Sequence, residues 1–272
     1  MYSVCRMFGA LVLAATALAR PDAPSARVPG AEALRVCSDP NNMPFSNRQE
    51  QGFENKIAEL VARDMNRRLV YLWSPQRRGF IRNTLSAGRC DLVMGIPGQY
   101  RLLQPTRPYY RSSYAFVSRR DRHLRITSFD DPRLKSLTIG IQITGDDYNN
   151  PPAAQALAAR HLIQNVRGYT VYGDYSRPDP QRELIDAVAD GRVDLAVAWG
   201  PLAGYFAGRE RVPLDVMPLA ADSDGPALPF AFDIAMGVRR EDTGLRASLD
   251  AIIQRRYAAI HRILTTYGVP LR

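Results

Sequence analysis

The chain has 272 residues, of which 46% are hydrophobic and 23% are charged. This composition provides for a buried core and excludes a disordered tail, a collagen-like rod and a small disulfide scaffold. The 36 Lys and Arg residues exceed the 27 Asp and Glu residues, which gives a formal net charge of +9. Such a surface favours acidic partners and opposes self-association, so we expect a monomer. The arginines are dispersed and the sequence has no nucleic-acid-binding motif, so we expect no nucleic-acid partner.

Residues 1–19 have the pattern of a secretory signal peptide. The positive charge of Arg6 precedes an apolar run that ends in Ala17-Leu-Ala19, and this run is too short to cross a bilayer. An uncleaved N-terminal membrane anchor is the alternative interpretation. We expect residues 20–33, rich in Pro and Ala, to be a flexible lead-in. The mature protein is then predicted to be periplasmic, without stable membrane insertion.

Export to an oxidising compartment makes a disulfide between two of the three cysteines possible. Cys5 would leave with the signal peptide, so Cys37 and Cys90 remain as a pair in an oxidising compartment. Each of the two lies at one end of a predicted strand, and neighbouring parallel strands would bring them within bridging distance. We therefore predict a Cys37–Cys90 disulfide. Two buried free thiols are the alternative.

After residue 33, short apolar strands alternate with amphipathic helices, which is the pattern of an α/β protein. In the first half the strands are predicted at 34–37, 70–73, 91–95 and 114–117, with helices beginning near Glu54 and Phe80. In the second half the strands are predicted at 137–141, 169–172, 194–198, 214–217 and 230–238, with helices over 151–163, around 184–188 and over 245–264.

Two similar α/β units joined by two extended crossings predict a hinged, bilobed protein. The crossings are expected near residues 114–119 and 230–238. This assigns residues 34–117 and 230–272 to a discontinuous first lobe and residues 118–229 to a second lobe.

Motifs of the common hydrolases, nucleotide-binding enzymes and zinc proteases are missing from the sequence. The three histidines, His123, His161 and His261, are too scattered to suggest a zinc site. We therefore expect a protein that is not an enzyme and that has no catalytic residue, no metal and no cofactor.

Four segments that follow predicted strands are rich in Asn, Pro, Gly and aromatic residues: 38–45, 95–101, 142–146 and 199–201. In open α/β sheets, ligands bind outside the carboxyl ends of the strands, so these segments are predicted to line a cleft between the lobes. The candidate cleft residues are Asp39, Asn42, Phe45, Glu54, Pro97, Tyr100, Arg101, Tyr109, Tyr110, Gly145, Asp146, Trp199 and Gly200.

The bilobed plan and these motifs resemble the periplasmic solute-binding proteins for amino acids, family 3, over residues 34–270. Three longer strings are similar to one clade of that family, the MxaJ/XoxJ proteins, which are encoded beside PQQ-dependent methanol dehydrogenases. The strings are Cys37-Ser-Asp-Pro-Asn-Asn-Met-Pro-Phe-Ser46, Gly52-Phe-Glu-Asn-Lys-Ile-Ala-Glu-Leu60 and Arg107-Pro-Tyr-Tyr-Arg-Ser-Ser-Tyr114. The resemblance implies the periplasmic-binding-protein fold and an accessory role in methanol oxidation.

The sequence departs from the amino-acid binders at two positions. Arg101 lies about where that family holds the carboxylate of its ligand, but the usual Thr-x-x-Arg spacing is missing. The family's ammonium-binding Asp would fall close to Trp199. Burying a zwitterion without its counter-charge costs several kcal/mol, so we expect the ligand not to be a free amino acid.

Two functions remain open from the sequence. The first is an accessory protein that holds a segment or an assembly state of a lanthanide-type, PQQ-dependent methanol dehydrogenase, with aromatic side chains giving apolar contacts and Arg101 pairing with a carboxylate. The alternative is a receptor that closes around a small organic anion or another metabolite and delivers it to an ABC importer.

Overall fold

The computed structural model describes residues 32–143, 151–170, 175–220 and 228–272. The predicted signal peptide and two candidate cleft residues, Gly145 and Asp146, lie outside these ranges. Within the described ranges, no helix is long and apolar enough to cross a membrane.

The first part of the chain folds into a parallel sheet in which β1 lies between β4 and β5. Helix α1 follows the loop after β1, and it buries Phe53, Ile57 and Val61, which recur at helical spacing. Its amino terminus is capped because the Asn55 side chain accepts a hydrogen bond from Gly52 N at 3.0 Å. In chain order the elements are β1 (Ala33–Ser38), β2 (Asn41–Asn42), β3 (Ser46–Asn47), α1 (Phe53–Asp64), β4 (Arg68–Trp73), α2 (Phe80–Asn83) and β5 (Leu92–Pro97).

The rest of the chain builds a second parallel unit in which β8 lies between β9 and β10, and it then returns to the first unit. In chain order the elements are β6 (Gln104–Pro105), β7 (Tyr110–Arg119), β8 (Ile139–Ile143), α3 (Pro152–Ala159), β9 (Val166–Thr170), α4 (Glu183–Ala189), β10 (Leu195–Trp199), α5 (Gly200–Ala207), β11 (Leu214–Pro218), β12 (Ala231–Val238), α6 (Thr243–Arg255) and α7 (Tyr257–Thr266).

Two antiparallel strands, β7 and β12, connect the units. The first four residues of β7 pair with β12, whereas from Tyr114 onward β7 pairs with β10 and β11. The backbone N–H of Tyr114 also donates to the carbonyl of Phe230, one residue before β12 begins. We call the unit of β4, β1 and β5 with α1, α2, α6 and α7 the first lobe, and the unit of β8–β11 with α3–α5 the second lobe. The lobe boundaries given above stay a prediction.

In both lobes, an Asp carboxylate just before an inner strand accepts a hydrogen bond from the backbone of the neighbouring parallel segment. Asp91 accepts a hydrogen bond from Arg35 N at 3.0 Å, and its pKa is lowered because the Arg35 guanidinium and backbone bind the carboxylate, which outweighs the effect of burial. Asp194 likewise accepts from Thr138 N at 2.9 Å and pairs with Arg122 at 3.0 Å. In both lobes an Asp therefore ties an inner strand to its parallel neighbour.

Three helical predictions differ from the structure. The predicted terminal helix over 245–264 is wrong as a single helix, because the chain breaks at Arg256 between α6 and α7. Both helices bury apolar residues in the same core, so the spacing of apolar residues continues across Arg256 and does not reveal that the helix ends there. Helix α2 is a single turn, and the helix predicted over 151–163 ends at Ala159. Helix α5, which begins at Gly200, is not among the predicted elements.

The predicted disulfide is confirmed. Cys37 and Cys90 are bonded, with their Cα atoms 5.7 Å apart. The bond closes because β1 and β5 are parallel neighbours, with Cys37 opposite Val93. Both cysteines are buried beside Phe80 and Leu85, so the bond attaches the α2 segment to the sheet.

We expect the C37A/C90A double variant of residues 20–272 to unfold more easily than the parent. A crosslink between positions 53 residues apart is worth about 4 kcal/mol on the chain-entropy model. Urea unfolding followed by circular dichroism gives the difference, with the parent measured in oxidised form. Equal midpoints for the variant and the oxidised parent would show that the bond contributes nothing.

Candidate functional site

The two lobes meet at a polar contact formed by residues 38–42 and 75–77 of the first lobe and 175–181 of the second. We call this contact the seam. At its centre the Asp39 carboxylate accepts hydrogen bonds from Asn41 N at 2.8 Å, from Gln76 N at 2.6 Å and from the Tyr175 hydroxyl at 2.6 Å. Two of these donors shape the first lobe and the third belongs to the second lobe, so Asp39 joins the lobes directly.

Further contacts extend the seam on both sides of Asp39. The Asn41 side chain donates to the Arg177 carbonyl at 2.8 Å, and the Gln181 side chain donates to that of Asn42. The Arg77 guanidinium lies 5.0 Å from the centre of the Tyr175 ring, a cation–π distance. The pKa of Tyr175 is raised by burial first and by the Asp39 carboxylate second, so its hydroxyl remains a donor at neutral pH.

The segment that carries Asp39 also enters the second lobe. Met43 is 5% exposed and packs in the apolar core formed by α4, α5 and β10. A first-lobe side chain therefore fills part of the second-lobe core. The lobes are held together at this point by apolar packing as well as by hydrogen bonds.

A groove of about 690 Å³ runs along the outside of the seam. Its aromatic wall includes Trp73, which is stacked on Tyr71 at 4.6 Å, and its rim carries Arg48 and Arg177. Both guanidinium groups are exposed and have no side-chain partner among the described residues. One carboxylate, that of Asp179, lines the same groove.

Behind the seam, Glu54 lies in the buried interior of the first lobe. Burial raises its pKa from 4.5 to about 8, with a smaller opposing effect from the Tyr109 hydroxyl. Gly95 makes room for the carboxyl group, since a Cβ there would stand 2.2 Å from Glu54 Oε1, and its φ of +68° also favours glycine. The Tyr109 hydroxyl has no hydrogen bond of normal geometry within the described structure.

Tyr110 and Trp199 continue this interior toward the second lobe. Tyr110 is 4% exposed, and its pKa is raised, chiefly by burial and next by the nearby Glu54 carboxyl, while a hydrogen bond with the Trp199 side chain has the opposite effect. Trp199 ends β10, and its ring packs against Tyr114 and Phe232 at 5.4 and 6.0 Å. The indole is thus held between the lobes by aromatic contacts.

Gly200 has a packing role. A Cβ at this position would stand 2.4 Å from the Ser113 carbonyl oxygen and 3.0 Å from Pro270 Cγ. Helix α5 can therefore approach β7 and the C-terminal segment closely only because residue 200 has no side chain.

The predicted cleft residues that the structure describes fall into four places. Asp39 and Asn42 lie in the seam, and Gly200 packs under α5. Phe45, Glu54, Tyr109, Tyr110 and Trp199 belong to the aromatic interior behind the seam, where Phe45 contacts Phe53 at 5.3 Å. Pro97 and Tyr100 line a different groove beside α2, and Arg101 is exposed next to them, with its carbonyl accepting a hydrogen bond from Arg240.

Sequence reasoning missed the second-lobe side of the seam. Tyr175 and Gln181 lie in a proline-rich stretch, Tyr175-Ser-Arg-Pro-Asp-Pro-Gln181, which follows the strand now identified as β9. The rule that placed the other candidates at the carboxyl ends of strands applies here too, and it could have found this segment. Across the described ranges, no group of His, Cys, Asp and Glu residues could hold a metal ion.

In a comparison with protein families, the model of bacterial extracellular solute-binding proteins, family 3, matches residues 34–269. The chain belongs to this family. The predicted family resemblance and the predicted bilobed α/β fold are both confirmed.

Individual relatives confirm the resemblance to the clade. The protein MoxJ of Methylorubrum extorquens AM1 is 33% identical over 96% of this chain and 93% of its own length, and that of Paracoccus denitrificans is 30% identical over 88% of each. Among solved structures, the periplasmic binding protein XoxJ from Methylobacterium extorquens AM1 has a TM-score of 0.72 and 38% identity over 88% of this chain and 99% of its own. MxaJ from Methlophaga aminisulfidivorans MPT has a TM-score of 0.75 and 25% identity, over 88% of this chain and all of its own.

We expect E54Q to be more stable than the parent at neutral pH and similar below pH 4. The raised pKa means that the folded parent keeps a proton that the unfolded chain loses, so its stability falls as pH rises from about 4.5 to about 8. The amide that replaces the carboxyl in the variant does not titrate, so the difference grows across that window to a value on the order of 5 kcal/mol and then stays constant.

Urea unfolding of both chains at pH 4, 6, 8 and 9 measures this dependence. E59Q changes an exposed Glu on the same helix and serves as the control, which is expected to track the parent at every pH. A difference between E54Q and the parent that does not vary with pH would contradict the prediction.

The Asp39–Tyr175 hydrogen bond is expected to couple the lobes energetically. In a double-mutant cycle of D39N, Y175F and the combined variant, a charge-assisted bond predicts a coupling free energy of about 2 kcal/mol. Urea unfolding supplies the four values, and Y257F, which alters an exposed tyrosine on α7, is expected to be additive with D39N. Additivity of D39N with Y175F would mean that the bond does not stabilise the fold.

Proposed function

We propose that this chain is a non-catalytic accessory protein of a PQQ-dependent methanol dehydrogenase of the lanthanide type, acting as a monomer in the periplasm. The observation that carries the proposal is the similarity to MoxJ, MxaJ and XoxJ over nearly the whole chain, with 38% identity to XoxJ. The family is one of extracellular solute-binding proteins, which agrees with export through a signal peptide.

The seam is the place where we propose that a segment of the dehydrogenase binds. Its groove spans both lobes, so a bound segment would contact both and favour the arrangement in which they are joined. The stacked Trp73 offers an apolar face, and the unpaired guanidinium groups of Arg48 and Arg177 offer charge to a carboxylate. Asp39 and Asn42 hold the walls of this groove together and do not themselves contact the segment.

The aromatic interior argues against a free amino acid as the ligand. Trp199 occupies about the position at which an amino-acid binder carries its ammonium-binding Asp, and this indole is engaged with Tyr110, Tyr114 and Phe232. The carboxyl of Glu54 is kept protonated at neutral pH by burial, so it does not supply a negative charge. A buried ammonium would therefore lack a counter-charge here.

The second candidate is a receptor for a small organic anion that serves an ABC importer. The family match favours it, because solute binding is what defines that family. The same exposed arginines would bind the anion, and hinge motion about β7 and β12 would enclose it.

Recovery of a quinoprotein dehydrogenase from native periplasm tests the proposal. Tagged residues 20–272 are incubated with the extract at modest salt, and the retained proteins are identified by mass spectrometry. We expect a methanol dehydrogenase in stoichiometric amount. Recovery of importer membrane subunits, or of no dehydrogenase, would overturn the proposal and favour the solute receptor.

We expect R48E/R177E to retain at least about tenfold less dehydrogenase than the parent, because two attractive contacts at the seam become repulsive. The matched control is R211E/R262E, which changes the net charge equally at two exposed arginines elsewhere. Equal retention by R48E/R177E and the parent would remove the seam from the mechanism. An equal loss in the control would show that only net charge matters.

A further inference from the structure

A second groove, separate from the one along the seam, lies between α2 and the turn that follows β5. It has a volume of about 530 Å³, and we call it the arginine groove. Among the side chains that line it are Arg78, Phe80, Arg82, Pro97, Tyr100 and Leu102. Pro97 and Tyr100 are thus predicted cleft residues that lie here instead of at the seam.

All the charged side chains that line this groove are positive. Residues 74–90 contain four arginines and no Asp or Glu, and residues 92–120 contain no Asp or Glu either. The guanidinium groups of Arg82 and Arg101 are exposed and have no carboxylate partner among the described residues. Other arginines of the first lobe, such as Arg35 and Arg239, are paired with a carboxylate.

Two further arginines are held near Arg82 and Arg101 by hydrogen bonds to backbone carbonyls. The Arg89 guanidinium donates to the Asn83 carbonyl at 3.3 Å, beside Arg82, and the Arg240 guanidinium donates to the Arg101 carbonyl. Because carbonyl acceptors leave the positive charge uncompensated, both add to the field around the groove. Residues far apart in the chain therefore build one cationic surface.

The groove also has an apolar side. Leu102 is 70% exposed, the largest exposed fraction among the large hydrophobic side chains of the described residues. Phe80 and Ile96 form buried parts of the floor, and Tyr100 is half-buried beside them. An exposed leucine in a groove that is also lined by arginines indicates a surface that is covered when a partner of opposite charge binds.

We propose that the arginine groove binds an acidic, extended peptide segment of a protein partner, with an apolar residue of that segment covering Leu102. The arginines come from separate segments of the chain, namely α2, the turn after β5 and the residues that follow β12. A small carboxylate would reach only some of them, whereas a segment with several carboxylates would reach them all. The inference rests on the proposed function in one respect, since it names the dehydrogenase as the source of the segment.

Fluorescence anisotropy with a labelled peptide tests the binding chemistry without the dehydrogenase. The probe is a dodecapeptide of four Glu-Glu-Leu repeats, and the reference is the Lys-Lys-Leu peptide, both at 50 mM salt with residues 20–272. We expect binding of the acidic peptide alone, weakened by 0.5 M salt. R82E/R101E is expected to weaken it by about tenfold or more, and L102S by several-fold with no change in charge.

The control R211E/R262E carries the same change in net charge and is expected to bind the peptide as the parent does. Equal weakening in this control, or no weakening in R82E/R101E, would overturn the groove as the binding site. Displacement of the peptide by succinate at a similar concentration would also overturn it, because the groove would then be a site for a small anion.

Retention of the dehydrogenase by R82E/R101E separates this inference from the proposed function. Loss of the dehydrogenase in this variant, with retention in the control, supports the dehydrogenase as the source of the segment. Retention equal to that of the parent overturns that assignment and leaves the proposed function standing. If the parent itself recovers no dehydrogenase, the proposed function fails, and the peptide experiment still decides whether the groove binds acidic segments.

Discussion

The arrangement of the two lobes depends on the hydrogen bonds that the Asp39 carboxylate accepts. It is 4% exposed and accepts three hydrogen bonds, one of them from a hydroxyl 136 residues away in the chain. Charge-assisted bonds in a buried site are stronger than those between neutral groups, and losing a donor would leave buried charge unsatisfied. The same residue fixes the turn after β1 and the turn after β4, so the shape of the first lobe and its contact with the second have a common origin.

The aromatic interior behind the seam consists of buried and partly buried side chains that pack against one another. Glu54 is accommodated by a glycine at position 95 and is held neutral by burial, whereas Trp199 fills the space between the lobes. The unpaired charges lie at the surface, where a few exposed arginines have no carboxylate partner among the described residues. The proposed binding of acidic segments therefore depends on these exposed arginines of the two outer grooves.

Much of the fold and part of the site could be predicted from the sequence. Strand and helix positions follow from local hydrophobic periods, and the disulfide follows from two cysteines at the ends of adjacent parallel strands. The strand-end rule found Asp39 and Asn42, both of which lie in the seam. Applied to β9, the same rule would also have selected the segment with Tyr175 and Gln181, but nothing in a local pattern shows that this segment faces Asp39 and Asn42.

The sequence by itself determined the α/β class, the family, the disulfide and the excess of positive charge, since each depends on composition, on short-range spacing or on long matching strings. Only the tertiary structure decided which aromatic residues are buried, as for Tyr109 and Tyr110, and which arginines lack a carboxylate, as for Arg82 and Arg101. It also decided that α6 and α7 are separate helices. Burial and ion pairing depend on contacts between residues far apart in the chain, and a one-dimensional pattern does not contain those contacts.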